Sequence, residues 1–292
     1  MNRPESALRN AGWVRAIGRD LGQRLRFRDL FSRAVIDVIL GCALLAALSG
    51  GGLWLLIVLV VLMLAAETEL YGALRRGGHR PATAIGLLGG VGMIAGTAVT
   101  GLVAVPVDLL VVAAAAACCT RFLPQWEGGW KDFGWTILGV IWVAGGLSFG
   151  WPIARAHDGP QLVLATFLIL ATLDSGQLIL GRAVGRRPLA PRLSPNKTIE
   201  GLLGGAGLAM AVALLVAALE PFNVGSALAL AAVIIVVGPI GDLAVSLLKR
   251  SLGIKDLGTL ARGHGGVMDL LDSALLVLPA VWLLFRWLGF LH

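Results

Sequence analysis

The feature that most constrains this chain is a succession of long apolar stretches separated by short polar ones. An apolar run of about 17 to 25 residues is long enough to cross a hydrocarbon core of about 30 Å as an α-helix. Nine such runs can be marked, near residues 34–50, 53–70, 84–99, 101–119, 133–152, 161–180, 201–219, 226–248 and 273–290. The expected fold is therefore all-α, a polytopic integral membrane protein of about nine transmembrane helices. Composition agrees, because 57% of the 292 residues are hydrophobic and only 14% charged, too few charges to clothe soluble domains of this length. The chain divides into a basic segment (1–33), a first set of membrane helices (34–172) and a C-terminal membrane region with polar loops (173–292).

The net charge of +7 raises the question of nucleic acid, and its distribution answers it. With the N-terminus in the cytoplasm, 22 of the 24 Lys and Arg residues fall in inner segments, leaving only Arg155 and Arg286 outside. The positive-inside rule accounts for such an asymmetry, so the basic character marks orientation in the membrane and no nucleic-acid partner is expected. Residues 1–33 interleave eight arginines with Leu, Trp13, Ile17 and Phe27, which suits a topogenic flank on an anionic inner leaflet. Cys42, Cys118 and Cys119 lie in expected spans without metal-ligand spacing, which speaks against zinc and against a disulfide framework.

Carboxylates inside spans are costly enough to be examined one by one. Asp37 follows Arg33 closely enough to pair with it, and Asp108 sits near a span end. Glu67 and Glu69 close the second span near its inner face and are candidates to line a cytoplasmic cavity. Glycines recur in two spans, at 86–92 and 201–207, where small residues let membrane helices approach closely.

Two stretches depart from this pattern. Residues 246–273 hold Lys249, Arg250, Lys255 and Arg262 with Asp256, Asp269 and Asp272, around a Gly263-His264-Gly265-Gly266 turn, and Asp242 lies just upstream. If Val267 onward is helical, Asp269 and Asp272 share a face and can offer oxygen ligands to one divalent cation. A glycine-rich turn entering a helix presents N–H groups to phosphate oxygens. The second stretch runs from Asp174 through three helix-breaking prolines, Pro188, Pro191 and Pro195, to Ser194-Pro195-Asn196-Lys197-Thr198 and Glu200 at a new helix start. Hydroxyls, an amide and a lysine there suit phosphate, although an N-cap alone would select the same residue types.

Together the two stretches resemble the phosphatidate cytidylyltransferase family. That family carries a signature of the form S-x-x-K-R-x4-K-D-x-G-x-x-x-P-G-H-G-G-x-x-D-R-x-D, matched here at Ser246, Lys249, Arg250, Lys255, Asp256, Gly258, Gly263, His264, Gly265, Gly266, Asp269 and Asp272. Gly241-Asp242 and the run Ser194 to Gly201 are similar to its upstream elements. Arg262 stands where the signature has proline, Leu270 where it has arginine, and Leu178 at a commonly aromatic position.

The resemblance implies a magnesium-dependent nucleotidyltransferase in the inner membrane, its active site facing the cytoplasm, that makes CDP-diacylglycerol and pyrophosphate from CTP and phosphatidate. It implies Mg²⁺, with K⁺ beside it, at Asp242, Asp269 and Asp272. Lys197, Lys249, Arg250 and Lys255 would act on the phosphates, Asp256 would orient Lys255 or bind metal, and His264 would shape the turn. Ser194, Asn196, Thr198, Arg262, Gly263, Gly265 and Gly266 would bind substrate. Membrane lipids are the remaining partner class, and a homodimer is compatible with the sequence. Two other readings stay open at this point: a CTP-dependent transferase or kinase acting on an isoprenoid lipid, and an inactive scaffold or transporter descended from the enzyme.

Overall fold

A computed structural model describes residues 41–42, 44–101, 130–191, 193–254, 256–258 and 266–291. Helix α1 (Gly52–Arg76) is followed by α2 (Thr83–Thr100) and α3 (Trp130–Gly139), which continues through a π-helical turn (Val140–Gly145) and two short helical pieces to Ala154. Then come α4 (Gly159–Val184), strands β1 (Pro188–Ala190) and β2 (Ser194–Thr198), α5 (Ile199–Val216), α6 (Val224–Ser251), α7 (Val267–Leu271) and α8 (Ala274–Trp287). Among the described residues seven helical segments are long and apolar enough to cross a membrane, so the chain is a multi-pass membrane protein. Of the expected spans, 34–50 is described only from residue 41 on and 101–119 lies outside the described residues but for Gly101, and the basic segment 1–33, Asp37 and Asp108 lie outside them altogether.

The all-α expectation needs one correction. β1 and β2 form an antiparallel hairpin, Pro188 opposite Thr198 and Ala190 opposite Ser194. The prolines that break the helix leave residues 188–198 extended, and two extended segments joined by a short turn satisfy their backbone groups by pairing.

Two apolar cores organise the bundle. The first surrounds α1, with Met63, Leu70, Tyr71 and Leu74 fully buried against α2 and the α3 region. Tyr71 is wedged against Gly86 of α2 and Gly139 of α3, and its hydroxyl donates to the Thr136 carbonyl at 2.9 Å. The second core joins α4, α5, α6 and α8 through Ile169, Leu173, Ala209, Ile234 and Val281. There the expected glycine packing is present: a Cβ on Gly176 would sit 2.8 Å from Gly205 Cα, and one on Gly201 2.8 Å from Gly181 Cα. Bare backbones thus let α4 and α5 meet along their length, in a solvent where close packing rather than water exclusion drives helix association.

Candidate active site

Each charged residue of the site is delivered by a locally determined element. Thr198 caps α5, its Oγ1 accepting from Gly201 N at 3.1 Å, while Glu200 accepts from the amides of Arg186 and Arg187 at 2.9 and 3.1 Å. These contacts hold the hairpin at the head of α5 and place Lys197 at the end of β2, just before the helix. Opposite stands α6, started by an Asn223–Ser226 capping box. Beside Asp242, Gly241 approaches the joint between α7 and α8 so closely that a Cβ there would lie 2.6 Å from the Asp272 carbonyl oxygen. Only glycine permits this approach, which brings Asp242 alongside the α7–α8 carboxylates.

The ion pairs follow from that packing. Lys197 pairs with Asp242 Oδ2, and Ser246 Oγ lies 3.5 Å from Asp242 Oδ1. Lys249 Nζ pairs with Asp269 Oδ1 at 2.9 Å, and Asp269 Oδ2 accepts from Gly266 N at 3.0 Å and Leu257 N at 3.4 Å. Asp272, whose Oδ1 accepts from Ser273 N, lies within electrostatic range of Asp174 on α4 and of both lysines. Arg250 Nε donates to the Leu193 carbonyl at 3.2 Å and ties the end of α6 to the hairpin.

The structure therefore brings together Lys197, Asp242, Lys249, Asp269 and Asp272 of the expected residues. Val267 onward is helical as expected, with Asp269 in the first turn of α7 and Asp272 at its C-cap. Ser194 and Asn196 lie on β2, with Asn196 exposed, and Asp256 is exposed between α6 and α7. Gly266 is buried at the N-cap of α7. Lys255, Arg262, Gly263, His264 and Gly265 lie outside the described residues.

Sequence reasoning offered Glu69 only as a candidate lining group of a cytoplasmic cavity, with no part in the reaction, and the structure places it beside α7. Its Oε2 accepts from Met268 N at 2.9 Å, 199 residues away in sequence. Further along α1, Arg76 donates to the Leu257 carbonyl at 2.5 Å. Glu67, two positions from Glu69, points elsewhere because two residues along a helix are about 200° apart. It is fully buried against Gly90 and Met63. The available signal was a carboxylate placed one helical repeat of seven before an arginine on one face of α1.

A divalent cation can be tested against these donors. Among the described residues no group of three or more His, Cys, Asp or Glu side chains is placed to hold a metal ion, so an all-protein cage is not formed there. What is present is a set of carboxylate oxygens interleaved with lysines. That donor chemistry fits Mg²⁺, which is commonly bound by one or two carboxylates with substrate phosphates and water completing its shell.

A sequence profile described as the cytidylyltransferase family matches residues 31–288. The phosphatidate cytidylyltransferase of Staphylococcus haemolyticus is 38% identical over 150 residues, covering 51% of this chain and 57% of that protein. That of Brucella suis is 38% identical over 161 residues, covering 54% and 58%. An Escherichia coli protein named uncharacterized protein YnbB is 36% identical over 137 residues, 47% and 46% of the two chains. The chain thus spans about half the length of the curated relatives it matches. With nearly its whole length matched by the profile, the chain belongs to the cytidylyltransferase family.

Proposed function

We propose that this protein is a CTP:phosphatidate cytidylyltransferase, acting at the inner leaflet of the cytoplasmic membrane with its N-terminus and polar loops on the cytoplasmic side. The observation that carries the reading is the convergence of two Lys–Asp pairs, Lys197–Asp242 and Lys249–Asp269, beside Asp272 and Asp174. Paired lysines and carboxylates in one cluster can re-partition when a triphosphate arrives, the ammonium groups turning to phosphate oxygens and the carboxylates to the accompanying cation.

In this mechanism a phosphate oxygen of phosphatidate attacks the α-phosphorus of CTP, the bond from that phosphorus to the β-phosphate oxygen breaks, and pyrophosphate leaves. The lipid phosphate is already largely dianionic near neutral pH, its second pKa being about 6, so no strong protein base is needed. The protein's task is alignment and charge neutralisation. Lys197 meets the nucleotide from the hairpin side and Lys249 from the α6 side, and Arg250, exposed at the end of α6, ties that helix to the hairpin. Of Asp242, Asp269 and Asp272, one or two carboxylates would hold Mg²⁺ together with the triphosphate, with K⁺ in the same carboxylate field. Bound there, Mg²⁺ would supply neutralisation of charge on the triphosphate.

The direct test is incorporation of labelled CTP into lipid by the purified protein, with phosphatidate and Mg²⁺ supplied. One CDP-diacylglycerol and one pyrophosphate per CTP consumed is the expected outcome. Transfer to an isoprenoid acceptor in preference to phosphatidate would replace this reading, and absence of any CTP-dependent turnover would remove it.

A further inference from the structure

Glycines beside a phosphate site are ordinarily explained by close approach of backbone to ligand, and the packing around Gly258 and Gly266 gives a different account. A Cβ built on either residue would run into the carboxyl group of Glu69. Gly266 has φ −104° and ψ −175°, extended backbone that any residue adopts, so its dihedrals do not call for glycine. It is buried, and what covers it is Glu69. The Glu69 carboxyl lies between both glycines, one oxygen bonded to Met268 N and the other buried without a hydrogen-bond partner among the described residues.

We propose that Gly258 and Gly266 are glycines to admit Glu69, and that Glu69 is a positioning residue setting the start of α7, hence Asp269, against Lys249. The contacts close a circuit. Arg76, seven residues after Glu69 and on the same face of α1, holds the Leu257 carbonyl at 2.5 Å. The Leu257 amide turns to Asp269 Oδ2, which also takes Gly266 N. Met268 N, next to Asp269, returns to Glu69. Helix α1, far away in sequence, thus holds the signature at both Leu257 and Met268 and sets where Asp269 can stand.

This inference rests on the proposed function only for its kinetic readout, so the test has two arms. Gly266→Ala is made in the unmodified protein and in a Glu69→Ala background, with the same pair for Gly258→Ala, and thermal unfolding of each is measured in detergent. The alanine is expected to lower the transition by several degrees when Glu69 is present and to change nothing further once Glu69 is gone, because residues in contact are not additive. Equal losses in both backgrounds would mean the glycines serve something other than Glu69 and would overturn the proposal. A Gly266→Ala protein that does not fold alone but folds with Glu69→Ala gives the same support, and failure in both backgrounds counts against it.

The second arm measures steady-state kinetics of Glu69→Ala. Its KM for CTP should rise about 10-fold, on the scale of one lost charged hydrogen bond, with KM for phosphatidate unchanged. Equal changes in both constants, tracking stability, would reduce Glu69 to a packing role. If the unmodified protein consumes no CTP, the proposed function fails, and the unfolding cycle still decides whether Glu69 explains the glycines.

Discussion

Lys249 near the end of α6 and Asp269 in the first turn of α7 form an ion pair of 2.9 Å, and the second oxygen of the same carboxylate accepts from the amides of Leu257 and Gly266. One side chain therefore neutralises a lysine, caps a helix and ties a loop. This concentration of roles makes the pair the most sensitive point of the site.

Lys249 is 16% exposed and Asp269 8%, so removing either partner strands a poorly solvated charge. Lys249→Met or Asp269→Ala should each destabilise the protein by about 3–5 kcal/mol. Lys249→Met combined with Asp269→Asn keeps the amide acceptor and removes both charges. That double variant should recover much of the stability and none of the turnover. Thermal unfolding in detergent and CTP turnover check this, and losses that simply add would contradict it.

Lys197 and Asp242 behave differently, because both are about a fifth exposed, at 23% and 22%. Lys197→Met or Asp242→Asn should cost at most about 1 kcal/mol of stability. Turnover should nonetheless fall at least about 100-fold, the scale of losing one preorganised electrostatic contact to the transition state. Activity that declines only as far as stability does would show that the pair is structural.

The glycine seam between α4 and α5 makes a separable prediction. A Cβ on Gly205 would lie 2.7 Å from the Leu173 carbonyl oxygen and 2.8 Å from Gln177 N, whereas one on Gly207 meets nothing within 4 Å. Gly205→Ala should cost about 1–3 kcal/mol through overpacking, and should lower turnover by shifting Asp174 with its helix. Gly207→Ala should be neutral or stabilising by up to about 1 kcal/mol from helix propensity. Unfolding of the two variants side by side is the check, and equal effects would rule out the seam as the cause.

Orientation can be tested at two exposed positions, Arg187 before the hairpin and Ser251 at the end of α6. With Cys42, Cys118 and Cys119 replaced, Arg187→Cys and Ser251→Cys should both react with an impermeant thiol reagent only from the cytoplasmic side. Labelling of either from outside would reverse the proposed topology.

Much of the helical architecture was legible because membrane spans are specified by local properties, length and hydropathy, that need no knowledge of neighbours. The seven segments found by structure coincide with expected spans for that reason. The start of α5 at Thr198 and the helical start at Val267 were likewise readable, since caps and breakers act within a few residues. The hairpin was not, because Pro188, Pro191 and Pro195 announce only the end of a helix, and pairing of the extended pieces depends on how the turn brings them together.

For the site, the sequence by itself determined which residue types were available: lysines and aspartates clustered in two polar stretches, with glycines at their edges. It did not determine the partners. Lys197 meets Asp242 because α5, which follows the hairpin directly, packs against α6, and Glu69 reaches Met268 because α1 packs beside α7. Such contacts depend on the distance and rotation between packed helices, which no spacing along one chain segment encodes. An ion pair changes with an ångström of that distance, and so only the tertiary structure could decide which carboxylate each lysine would hold and why two glycines stand beside Glu69.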